Sequence, residues 1–394
     1  MNEKRRIVIL LNSLQPGGLL VSLSEAMKVV NTEKNDIYIY AITSYCFKRE
    51  IFPENITVIT DDNHSHYHRL PKSVLLHLYI LLLKLFRKDK KRIQQEKKLH
   101  SYVHNMKALY PAKRRFSDGV DVVISYAMGL CTEMAVSIKS KKKYLFFHSS
   151  DPDFHRDLSD KYFGEFDNII AVSNGVQNML MENFPLYRNR IALLKNYIDE
   201  NRIIQLADEY SVDFETGENR LKITSVIRVD KEKGADMLVD AAKIIKGAGV
   251  SFLWFVVGDG GCREKIQKQI AENDLADNVY ITGFKDNPYP YIKCCDLYVH
   301  PAYEESFGLA ILEALIMKKA IVSTDTMGAR DVLDNGKYGL LVSIDSKSIA
   351  DGVLYLLNNQ SLMRDYENSY QNINSKDKGV YKEKWESLLN GEIA

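Results

Sequence analysis

Cysteine is scarce and irregularly placed: five residues in 394, at Cys46, Cys131, Cys262, Cys294 and Cys295, an odd number with no C-x-x-C. That argues against a disulfide framework or a zinc site and for reduced thiols in a cytoplasm. Long apolar runs are missing as well. None reaches the ~20 residues needed to span a bilayer. The run near the N-terminus is only about six residues, too short for a signal-peptide core, and reads as a first buried strand. Charge of one sign is not in excess: 53 basic and 52 acidic residues leave a formal +1. The molecule as a whole is therefore no polyanion binder, and no nucleic-acid partner is expected. A full G-x-G-x-x-G is lacking after the first apolar run and again around Gly258, Gly260 and Gly261. A nicotinamide enzyme is accordingly a poor fit.

What the chain does have is ordinary globular composition, 45% apolar and 27% charged. Its length suits two domains of roughly 200 residues. The N-terminal half repeats a short apolar run followed by a helical stretch. The runs are Ile7–Leu11, Ile37–Ile42, Ile56–Ile59, Asp121–Ser125, Tyr144–His148, Ile169–Ser173 and Ile191–Leu194. The C-terminal half restarts the pattern with Lys222–Ile227, Phe252–Val257, Asn278–Thr282, Leu297–His300, Ala320–Thr324 and Gly339–Val342. These runs do not alternate, as expected of strands covered on both faces, and intervening helices argue for parallel sheets with right-handed crossovers. The polar, acidic segment Glu200–Glu218 is placed as the linker. The expected division is 1–205, 206–375 and a closing helix in 376–394, with a basic helical insertion at about 66–118.

Within that insertion, residues 72–98 run from an apolar stretch into Lys84, Arg87, Lys88, Lys90, Lys91, Arg92, Lys97 and Lys98, opposed only by Asp89 and Glu96. Two readings stay open: a core helix with a solvated face, or a surface helix on anionic lipid, where each basic side chain contributes about 1 kcal/mol.

The chemistry concentrates in PAYEESFGLAILEALIMKKA, which begins where the Leu297–His300 run ends. After Ser306 the spacing turns helical, with Leu309, Leu312, Leu315 and Ile316 on one side. Glu305 then precedes a helix start, and Glu313 falls about two turns in. A helix start offers unpaired N–H groups and the positive end of the dipole, a ready place for a diphosphate. Gly308 allows close backbone approach. Ligands of doubly wound sheets sit beyond the carboxyl ends of the strands, where this helix starts. An E-x7-E pair is common by chance, and either glutamate alone reads as ordinary helix chemistry.

The surrounding residues carry more. ESFGLAILEA at Glu305–Ala314 and STDTMGARDVL at Ser323–Leu333 resemble the C-terminal domain of the family-4 retaining glycosyltransferases of the GT-B class, whose usual forms are E-G-F-G-L-P-x-L-E-A and T-D-x-G-G. Ser306, Ala310 and Met327 depart from that pattern, and the serine bears on donor identity. IRVDKEKG at Ile227–Gly234 is similar to G-R-L-x-x-x-K-G, VVGDGG at Val256–Gly261 to the strand and glycine turn that follow, and TGF at Thr282–Phe284 to the loop bordering the base. LNSLQPGGLL resembles the glycine-rich first loop, with Leu19 and Leu20 in place of the usual small residue and glutamate. FFHSS puts His148 at a strand end, and IIAVSN and LLKNYID are similar to the last strands of the first domain. The resemblance covers most of the chain outside about 62–118.

The resemblance implies an α/β fold of two facing Rossmann-like, doubly wound domains. It implies transfer of a hexosyl or N-acetylhexosaminyl unit from a nucleotide diphosphate sugar, UDP by family habit, to a glycan or lipid-linked acceptor, with retention and no essential metal or other cofactor. Glu305, Lys233, Arg228 and His148 would be the catalytic residues. Gly17, Gly18, Arg228, Lys233, Gly258, Phe284, Glu305, Ser306, Phe307, Gly308, Leu309 and Glu313 would hold the donor, Arg228 and Lys233 at the diphosphate and Glu313 at the ribose. The cell-surface polysaccharide setting and the basic stretch point to cytoplasm, at the inner membrane face. A nucleotide-sugar 2-epimerase of the same fold and a non-catalytic partner subunit are the alternatives. Asp151-Pro152-Asp153 is formally the D-x-D metal signature of a single-domain glycosyltransferase class, but after a strand it reads as loop chemistry.

Overall fold

The computed structural model describes residues 4–44, 49–60, 111–212, 220–370 and 378–393. The basic stretch 72–98 lies outside the described residues, so neither reading of it is addressed.

Among the described residues thirteen strands form two sheets, and every strand-to-strand pairing within them is parallel. The first is ordered β3-β2-β1-β4-β5-β6-β7, from β1 (Arg5–Ser13), β2 (Asn35–Thr43), β3 (Thr57–Thr60), β4 (Val120–Ser125), β5 (Ser140–Phe147), β6 (Asn168–Ala171) and β7 (Ile191–Leu193). The second is ordered β10-β9-β8-β11-β12-β13, from β8 (Leu221–Val226), β9 (Phe252–Val257), β10 (Val279–Gly283), β11 (Leu297–His300), β12 (Ala320–Thr324) and β13 (Leu340–Val342). Each sits on an apolar run of the sequence. Ile7 to Leu11 are at most 1% exposed, which is why the run does not alternate.

Strand order reverses between β1 and β4 in one sheet and between β8 and β11 in the other. Such switch points leave a crevice beyond the strand ends, where helices diverge to opposite faces. The loops at the two crevices meet: a Cβ on Gly18, which opens the helix Gly18–Val29, would lie 3.4 Å from Cδ1 of Leu309.

Part of the expected linker is a helix, Glu200–Leu206, started by Asp199, whose side chain accepts from the Arg202 N–H. It ties both halves. Arg202 bonds Glu25 in the helix Gly18–Val29 at 2.6 Å, and Asn287 donates to the Leu206 carbonyl at 2.7 Å. Farther along, the carboxylate of Asp331 takes the ammonium of Lys195 at 2.8 Å and both the backbone and side-chain N–H of Asn174. An open groove of about 610 Å³ runs beside this latch, past Asn178, Glu182, Arg330 and Asn335.

The helix Lys378–Asn390 returns to the first sheet. Trp385 is fully buried and stacks on Phe146 at 5.5 Å, while Arg5 donates to the Leu389 carbonyl at 3.0 Å. Among the described residues no helix is long and apolar enough to cross a membrane.

Candidate active site

Three turns converge at the second switch point. The chain leaves β8 through Arg228 and reaches a single 3₁₀ turn, Lys231–Lys233. Gly234 follows with φ +70°, and a Cβ there would lie 1.8 Å from the carbonyl oxygen of Pro301, just past β11. Only glycine lets these backbones touch. The Tyr303 N–H then donates to the Glu232 carbonyl at 3.0 Å. The sequence KEKG thus sets Lys233 against the loop that carries Glu305.

Lys233 Nζ lies 2.8 Å from Oε2 of Glu305 and 3.1 Å from the Glu304 carbonyl. Glu305 Oε1 accepts the N–H of Gly308 at 3.1 Å. His300 Nε2 is 3.3 Å from Oε2. Burial alone would raise the carboxyl's pKa, but the His300 imidazole and the Lys233 ammonium outweigh it and hold Glu305 far below the usual carboxylate range. Glu305 is therefore a fixed anion beside a fixed cation.

The loop is also held from behind. Gly328 donates to the Glu305 carbonyl at 2.8 Å, and a Cβ on Gly328 would fall 2.6 Å from the Phe307 nitrogen. The start of the helix Met327–Val332, capped at Thr326, is thus a backstop for the Glu305 loop, a role not visible in its spacing.

The helix begins at Leu309, with Gly308 as its cap at φ +90°. That is later than the spacing after Ser306 suggested, so Glu313 lies little more than one turn in rather than two. Of the three amides expected at a diphosphate, that of Gly308 is given to Glu305, while those of Phe307 and Leu309 have no hydrogen bond among the described residues. Ser306 is half-buried on the same loop.

Glu313 is neither solvated nor beside Lys233. It is buried and accepts from the Tyr289 hydroxyl at 3.2 Å. Burial pushes its carboxyl up to about 7; the Tyr289 bond pulls the other way, and the charge of Glu25 adds to the rise. A carboxyl with a raised native pKa stabilises the fold below its ordinary value of 4.5, and that stability is lost as pH rises through about 7. Glu313→Gln should therefore match the parent chain below pH 4.5 and gain on it by about 3 kcal/mol towards pH 8, read as urea midpoints across pH. A pH-independent difference would contradict the assignment.

The remaining expected residues are dispersed. Arg228 does not join Lys233 at Glu305; its exposed guanidinium is 3.0 Å from Asp230 and 3.4 Å from Glu232. Gly258 seats that turn, where a Cβ would lie 1.9 Å from the Ile227 carbonyl oxygen. Phe284 is 52% exposed beyond β10. Gly17 and Gly18 lie across the crevice, and nothing stands within 4 Å of a Cβ on Gly17. His148 follows β5 and packs on Tyr126 and Phe146. Burial lowers its imidazole to about 4, against the pull of the Tyr126 backbone, so it is neutral near pH 7; its Nε2 has no hydrogen-bond partner.

Residues 207–373 match the family model described as Glycosyl transferases group 1. One relative is the N-acetylgalactosamine-N,N'-diacetylbacillosaminyl-diphospho-undecaprenol 4-alpha-N-acetylgalactosaminyltransferase of Campylobacter jejuni, 30% identical over 207 residues. That match spans 51% of this chain and only 54% of the relative. An uncharacterized glycosyltransferase of Methanocaldococcus jannaschii is 24% identical across 95% of this chain and 96% of its own length. Among solved structures, Anabaena HepE in complex with UDP-glucose superposes with a TM-score of 0.73 at 17% identity, covering 98% of this chain and 100% of that one. Through residues 207–373 this chain is similar to the group 1 glycosyl transferases, and its two parallel sheets make the GT-B fold.

Proposed function

We propose that the chain is a retaining glycosyltransferase that moves a hexosyl or N-acetylhexosaminyl unit from a nucleoside diphosphate sugar to a glycan or lipid-linked acceptor. The observation that carries this reading is the Lys233–Glu305 pair at the second switch point, facing the Gly17–Gly18 loop across the crevice. Lys233 and the amides of Phe307 and Leu309 would grip the diphosphate. Arg228, exposed on the neighbouring turn, would swing from Asp230 to join them. Glu305 would hold the sugar hydroxyls and steady the positive charge that grows at the anomeric carbon. Glu313 would take the ribose once the nucleoside opens its contact with Tyr289.

The acceptor oxygen forms its bond to the anomeric carbon as the bond to the diphosphate breaks, on the same face. The departing phosphate oxygen takes the hydroxyl proton. Fixed cations matter most there, because negative charge collects on the leaving group. UDP as carrier is supported by the UDP-glucose complex of HepE, and a lipid-linked acceptor by the name of the Campylobacter enzyme.

Incubation with a panel of nucleotide sugars should release one nucleoside diphosphate, most strongly with a UDP-sugar, at a rate unchanged by EDTA. The C1 configuration of the product, read by NMR coupling, should match the donor. Inversion would sink retention. Interconversion of the nucleotide sugar without release would favour the epimerase, and inertness toward every donor would favour the partner subunit.

A further inference from the structure

His300 ends β11, immediately before the loop that carries Glu305. It is only 2% exposed, yet neither ring nitrogen has a hydrogen-bond partner among the described residues. A buried histidine stripped of water and left with two bare nitrogens destabilises the fold, and such groups call for an explanation in function. Its ring is held in plane, nearly parallel to that of Tyr298 (16°), and its carbonyl is bonded by the Thr324 hydroxyl at 3.2 Å. From that fixed position Nε2 looks at one acceptor, Oε2 of Glu305, at 3.3 Å and out of line. Oε2 is also the oxygen that Lys233 holds at 2.8 Å. The other oxygen is tied to Gly308.

Lys233 thus has two claims on it. In the free protein it neutralises Glu305; with donor bound, on the reading above, it turns to the diphosphate. Glu305 would then lose the closer of its two side-chain partners, 2.8 Å against 3.3 Å, at the moment its position matters. We infer that His300 is a positioning residue for Glu305: as Lys233 moves to the diphosphate, the Nε2–H of His300 closes on Oε2 and keeps the carboxylate aimed at the donor sugar. This rests on the donor reading of the site.

The variants His300→Leu and His300→Gln test it. Leucine removes both bare nitrogens at similar volume, so His300→Leu should melt at or above the parent temperature. Its kcat should nevertheless fall about tenfold or more, with the donor KM within about threefold, because the lost contact is made after binding. Glutamine places an amide N–H near the position of Nε2 and should restore kcat to within about threefold of the parent. Parent kcat in His300→Leu overturns the inference. So does a joint loss of kcat and melting temperature in both variants, which would mean packing alone.

A second measurement needs no turnover. In the full chain labelled with ¹⁵N-histidine, UDP should bring the His300 Nε2–H into slow exchange with water, with His300→Gln supplying the assignment. UDP binding that leaves this signal unmoved overturns the role of His300 and spares the donor reading. Failure of UDP and of the other nucleoside diphosphates to bind removes the donor reading and this inference with it.

Discussion

Alanine at position 233 should cost turnover about a hundredfold or more and leave the fold standing. Lys233 is the cation at the Glu305 loop, its Nζ within 3.1 Å of two of that loop's oxygens. In the reaction proposed here its charge counts most when the diphosphate departs. A donor of two charge-assisted hydrogen bonds to a leaving group typically contributes about 3–4 kcal/mol to the barrier, which is a factor of 10² to 10³. The fold should survive because the lysine is 22% exposed and the backbone contacts of its turn do not involve the side chain. Glu305 would keep its bond from Gly308, although its pKa should rise towards the normal range once the ammonium is gone. Single-turnover kinetics with an active donor, beside the circular dichroism spectrum, make the measurement. Unchanged turnover in a folded Lys233→Ala protein would end the assignment.

A methyl group at position 234 should be as damaging to stability as the loss of Lys233 is to rate. Gly234 takes φ +70°, which costs an L-residue roughly 1–2 kcal/mol by itself. The added carbon would also meet the Pro301 carbonyl at 1.8 Å, and that oxygen belongs to rigid backbone at the end of a central strand. Either the turn or the strand end must move. We expect Gly234→Ala to lose about 3–5 kcal/mol, or roughly 10 °C in melting temperature, with the Lys233–Glu305 pair broken. A melting temperature within a degree or two of the parent would show that the two backbones are not held together as described.

The strands were legible because each is a short apolar run covered on both faces, and burial leaves little choice of residue. Phe252–Val257, Leu297–His300 and Ala320–Thr324 coincide with the sequence runs; the others differ by a few residues at their ends, where pairing with neighbours and not hydropathy sets the limit. Lys233 and Glu305 could be placed together because both follow central strands of one sheet. What could not be read was contact between distant segments. Glu313 looks like any helical glutamate until Tyr289, 24 residues earlier, covers it. His300 looks like an ordinary strand-end histidine until the Glu305 loop folds back over it. The Asp331 latch joins positions more than a hundred residues apart, and no local pattern announces it. Arg228 stayed apart from Lys233 because Asp230 and Glu232, its own near neighbours, offer carboxylates first.

The returning C-terminal helix fixes an order of assembly. During synthesis the first sheet is complete once β7 has emerged, but the face of Phe146 that Trp385 covers stays bare until nearly two hundred further residues have been made. The N-terminal half is thus begun first and sealed last, and a ribosome stalled anywhere in the second half holds out a partly open core. Chaperone capture of such stalled chains should fall sharply once residue 390 has cleared the exit tunnel.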